Sequence, residues 1–200
     1  YIGLIAFGFY QLQTTQRQSP RLRRGGYWLV VASLAQCLWV YAFLLRQFSL
    51  SVVVMLGILL PLMGFYQRLG IGHERVSSRE RWLIDIPIGV YLGWISVATV
   101  VNVAIALYSA NWGGWGLPPT LWTVMMMVVS AAIAAIMLVQ RHDLAFAGVI
   151  VWALVAIVVR SQGMPILMGA GSILAVGLLV GMLIIKNTTP SAQAVKDLDQ

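Results

Sequence analysis

The sequence predicts an all-α polytopic transmembrane helical bundle, and three observations carry that prediction. Hydrophobic residues fill 60% of its 200 positions and charged residues only 10%, with a mean hydropathy of +0.86; an ordinary soluble domain carries about 25% charged residues. The apolar residues fall into runs near the roughly 17–25 residues that a helix needs to cross hydrocarbon. The charges collect between those runs, and basic residues favour alternate linkers.

About seven crossings follow. The opening YIGLIAFGFYQL is apolar but too short to span, and Tyr1 is not an initiator residue, so the segment reads as the end of a partial first crossing. It has neither the basic n-region nor the small-residue cleavage site of a signal peptide. Six further runs cover about 27–45, 50–66, 86–108, 121–139, 144–159 and 165–185. Residues 1–110 are expected to form one helical module, residues 111–186 a three-helix membrane extension, and residues 187–200 a polar tail.

Orientation follows from arginine and lysine. If the spans alternate, Arg17, Arg21, Arg23, Arg24, Arg68, Arg75, Arg79, Arg81, Arg141, Lys186 and Lys196 share one side, while Arg46 and Arg160 hold the other. The heavy side is expected to be cytoplasmic, with the C-terminus. The net charge of +7 is therefore mainly a topology signal, with lipid headgroups as secondary partners and no nucleic acid expected. Trp28 and Trp82 fit an aromatic belt at the basic boundary, and Trp112, Trp115 and Trp122 fit one at the other.

Several chemistries are missing from the spans. Glu74, Glu80, Asp85, Asp143, Asp197 and Asp199 lie in loops, at boundaries or in the tail, which argues against a carboxylate-coupled transporter. Cys37 is the only cysteine and reads as a small buried hydrophobe. His73 and His142 are not spaced as a metal pair and read as solvated loop residues. No metal site, catalytic residue or required cofactor is expected.

Polar and aromatic residues inside the runs need more explanation. The run 86–108 carries Trp94, Ser96, Thr99 and Asn102 at depth, where polar atoms must find partners. On a helix, Tyr91, Trp94, Ala98 and Asn102 share one face, and Ala32, Gln36 and Trp39 share another. Aromatic walls, a small residue and an amide suit a planar amphipathic ligand such as a tetrapyrrole. Helix packing through an interhelical amide bond explains the same residues equally well. The Gly89–Gly93 and Gly177–Gly181 pairs fit the pattern for close helix approach.

The segment LGWISVATVVN at 92–102 resembles the last helix of the tryptophan-rich sensory protein, or translocator protein (TspO/MBR), family. That helix reads L-x-W-x-S-x-A-T-x-x-N, matched by Trp94, Ser96, Ala98, Thr99 and Asn102. LAQCLWVYAF at 34–43 resembles the third helix of the family, with Trp39 matching and Gln36 standing where an asparagine is usual. The opening segment is similar to the end of the second helix. The resemblance covers about residues 1–108 and implies a five-helix fold whose N-terminal helix is not in this chain, followed here by three added helices.

The resemblance also implies a function. Family members bind porphyrins and other hydrophobic ligands between helices and often act as stress or light sensors. Gln36, Trp39, Tyr91, Trp94, Ala98 and Asn102 are then the ligand-binding candidates, for a porphyrin, haem-like or chlorophyll-like molecule. The membrane would be the plasma membrane or another energy-transducing one. A different class of function is a structural accessory subunit, packed as a homo-oligomer or on a larger membrane complex. An enzyme that degrades a bound tetrapyrrole through Trp39 or Trp94 ranks last, because no general acid–base site accompanies them.

Overall fold

A computed structural model gives the fold and describes residues 2–13, 19–74 and 76–188. Every apolar run becomes a helix. Helix α1 covers Ile2–Leu12, α2 Pro20–Gly25, α3 Trp28–Leu44 and α4 Phe48–Arg68. Helix α5 covers Ser78–Ser109, α6 Pro119–Arg141, α7 Leu144–Arg160 and α8 Pro165–Thr188. No strand occurs among the described residues. The tail expected over 187–200 lies outside them, apart from the two residues that end α8, and so do Arg17, Arg75 and Lys196.

Four helices, α4, α5, α6 and α8, are long and apolar enough to cross a membrane. Helices α3 and α7 have 17 residues each, roughly 25 Å of rise, just under a hydrocarbon core of about 30 Å. The protein is an integral membrane helical bundle. Helix α5 starts eight residues before its apolar run. Ser77 and Glu80 form a reciprocal capping box, Arg81–Asp85 make a π-helical turn, and regular α-helix runs from Ile86. Pro87 follows that turn; its ring crowds the carbonyl four residues back, and the wider turn accommodates it.

Helix α4 packs between α3 and α5, and α7 packs on α5. Helix α8 lies on α7, and α6 lies against both of them. Thus α7, not the sequence-adjacent α6, joins the last three helices to α5. The join is close because of two glycines. A Cβ on Gly89 would stand 2.8 Å from Asp143 Oδ2, and one on Gly93 would stand 3.1 Å from Val149 Cβ. Gly181 meets Leu138, whereas Gly177 has nothing within 4 Å, so the second glycine pair does not act as a joint contact. One apolar core runs from Phe7 to Leu178.

The basic linkers meet at one end of the bundle. Arg21 donates to the Leu69 carbonyl (2.8 Å) and pairs with Asp85 (2.7 Å), and Arg24 pairs with Glu74 (2.7 Å). Arg141 donates to the Ile71 carbonyl at 3.3 Å. Asp143 is buried there. It caps α7 through the Ala145 and Phe146 N–H groups and accepts from Tyr66 Oη at 2.7 Å. At the opposite end, Trp112, Trp115 and Trp122 stack together at 5.0–5.7 Å between centroids.

Candidate site between the helices

Helix α3 turns Leu29, Ser33 and Gln36 toward α1 and α5. These residues, with Leu4, Phe7 and Tyr91, line a cavity of about 270 Å³. Ser33 serves its own helix, donating to the Leu29 carbonyl at 2.8 Å. Gln36 Oε1 is buried and has no hydrogen-bond partner in the protein. Such an atom costs about 1–3 kcal/mol unless something satisfies it. No charged side chain, histidine or cysteine lines the cavity.

Trp39 stands one turn beyond Gln36. Its ring leans on Phe43, with centroids 5.2 Å apart, and its Nε1 is buried without a protein partner. Ala32 on the same helix is fully buried.

Helix α5 divides its expected ligand face. Tyr91 reaches the cavity, and Ala98 packs against the core. Asn102 is 2% exposed; Ser51 Oγ of α4 lies 3.0 Å from its Oδ1, while its Nδ2 has no partner. Trp94 points to another flank: it is 47% exposed, and its ring packs at 5.4 Å on Trp152 of α7. Gln36 and Tyr91 are therefore brought together, while Trp94 does not line the same space.

Two polar residues have a local explanation. Ser96 donates to the Leu92 carbonyl and Thr99 to the Ile95 carbonyl, at 2.8 and 2.7 Å. Back-bonding to the preceding turn satisfies a hydroxyl inside an apolar span without any outside partner. Sequence reasoning did not anticipate Ser33 as a lining residue or Ser51 as the Asn102 partner. The first carried a signal, since Leu29, Ser33 and Gln36 follow helical spacing; a lone serine such as Ser51 carried none.

A family model described as TSPO-like protein matches residues 1–184. The match extends through the last three helices rather than stopping after α5. No curated protein and no solved structure matched the chain.

Proposed function

The chain belongs to the TSPO-like family, and on that premise we propose that it binds a tetrapyrrole or similar lipophilic ligand between α1, α3 and α5, in a sensory or regulatory role. The observation that carries this reading is a cavity with apolar and aromatic walls and an unpartnered buried acceptor, Gln36 Oε1. Ligand sites have this composition: mostly apolar walls and a few placed polar atoms. At about 270 Å³ the space is just below the usual range for enclosed ligands. It would enclose a small lipophile whole, or one edge of a macrocycle. The uncharged lining favours the apolar edge of a porphyrin over its carboxylates, and it offers no histidine or cysteine to a porphyrin iron.

Gln36 and Tyr91 are the contacts this reading places first. Trp39, Ala98 and Asn102 stand farther along the same two helices, and Trp94 would join only if the ligand extended to the α7 flank. The end that carries Arg21, Arg24 and Arg141 is proposed to be cytoplasmic, from the basic asymmetry. The test is a Soret-band titration of the detergent-purified chain with protoporphyrin. Saturable binding that weakens about tenfold in Ser33→Phe, which fills the cavity, is expected. Equal binding by Ser33→Phe and Gln36→Leu would remove the site.

A further inference from the structure

A separate groove of about 590 Å³ lies on the outer face of α7. Trp152, Val155, Ala156 and Val159 form its floor, and Arg160 and Gln162 stand at one end. It shares no lining residue with the cavity between α1, α3 and α5.

Depth, charge and surface chemistry all point to one kind of occupant. The floor from Trp152 to Arg160 rises about 12 Å along the helix, close to the roughly 15 Å of hydrocarbon in one leaflet. The groove thus reaches from the membrane boundary toward the midplane. Its floor is exposed and apolar: Trp152 is 58% exposed and rests on the half-exposed Trp94. At the boundary stands a cation without a counter-ion. Arg160 makes no ion pair among the described residues, and Glu74, Glu80, Asp85 and Asp143 all belong to the opposite end of the bundle.

We propose that this groove binds an anionic phospholipid of the leaflet at the Arg160 end. One acyl chain lies along Trp152, Val155 and Val159, and the phosphate pairs with the Arg160 guanidinium, whose forked donors match phosphate oxygens. A free phosphate would use only the mouth of the groove. A zwitterionic lipid would fill the floor but bring a cation to an uncompensated arginine.

The test uses the full chain in detergent, titrated with phosphatidylglycerol brominated on its acyl chains, because bromine quenches indoles that it touches. Saturable quenching is expected, and Trp152→Phe should reduce its amplitude. Arg160→Gln should raise the half-saturation concentration about tenfold, as loss of a charge-assisted bond requires, while Arg160→Lys should keep most of the affinity. Each variant changes an exposed residue, so folding is not at stake. Brominated phosphatidylcholine quenching as effectively, Arg160→Gln leaving half-saturation unchanged, or Trp152→Phe leaving the amplitude unchanged would each overturn the proposal. Displacement of the lipid by millimolar inorganic phosphate would also overturn it, by showing an ion site only.

Discussion

Ser51 on α4 and Asn102 on α5 meet at 3.0 Å where neither reaches solvent. Ser51 Oγ also lies 2.7 Å from the Phe48 carbonyl oxygen. A hydroxyl has a single proton, and the shorter contact claims it. With the amide turned over, Asn102 donates an N–H to Ser51 while Ser51 donates to Phe48, and the amide oxygen takes the buried position that has no protein partner. The interhelical bond then runs from α5 to α4.

Removing either partner should therefore weaken the α4–α5 contact. Ser51→Ala and Asn102→Leu, combined in a double-mutant cycle, should show coupling of about 0.6 kcal/mol, the usual value for hydrogen bonds between membrane helices. Unfolding of the detergent-solubilised chain measures it. Strict additivity of the two variants would mean that the contact carries no energy of its own.

Hydropathy made the helices legible to within a few residues: the apolar run 86–108 became regular helix over Ile86–Ser109, and 165–185 became Pro165–Thr188. Composition reports that a segment is apolar, but not which way it is rotated. Trp94 and Tyr91 sit three residues apart on what reads as one face, yet they turn to different neighbours, Trp152 and the α1–α3 cavity. That division depends on α7 packing against Gly89 and Gly93, a long-range contact that no local pattern encodes. Asp143 was legible as a boundary residue, but its burial against Tyr66 was not.

The Asp143 site gives an ordered pair of effects. Tyr66→Phe removes one hydrogen bond to a buried carboxylate and should cost about 1–3 kcal/mol. Asp143→Ala removes the same bond and also the α7 cap, worth about 0.5–2 kcal/mol by itself. Thermal unfolding should rank Asp143→Ala as the more damaging change. The reverse order would show that Tyr66 supports something besides this carboxylate.

Glycine substitutions should separate joint contacts from incidental ones. In Gly89→Ala the new methyl meets a carboxylate that Tyr66 and two backbone N–H groups hold in place. Overpacking of this kind costs about 1–3 kcal/mol. In Gly177→Ala the methyl meets nothing within 4 Å, and the better helix propensity of alanine adds up to about 1 kcal/mol. Opposite signs in melting temperature are expected, and equal effects would contradict the close α5–α7 approach.

Sidedness can be read by labelling in a Cys37→Ala background. Ser78→Cys lies at the basic end and spares the capping Ser77, while Asn111→Cys lies at the tryptophan-rich end. A membrane-impermeant maleimide applied outside intact cells should label Asn111→Cys and not Ser78→Cys. Labelling of Ser78→Cys alone would invert the orientation.

Which flank of α5 holds the ligand depends on two residues only three positions apart. A ligand in the α1–α3–α5 cavity would be sensitive to Gln36→Leu, which removes the buried acceptor, and to Tyr91→Ala, which removes one wall. It would be nearly indifferent to Trp94→Ala, because that ring packs on Trp152 outside the cavity lining. A ligand stacked on Trp94 would show the opposite pattern, losing about 1 kcal/mol or more with the indole. Ala98→Phe provides a further check, since Ala98 packs against the core on the same helix as Tyr91, about two turns along from it. The expected result is weaker porphyrin binding in Gln36→Leu, Tyr91→Ala and Ala98→Phe, with Trp94→Ala within about twofold of the parent, a difference of well under 1 kcal/mol. Binding lost only in Trp94→Ala would move the ligand to the α7 flank, while binding unchanged in all four would leave the polar and aromatic residues of α3 and α5 as packing and favour the structural-subunit reading.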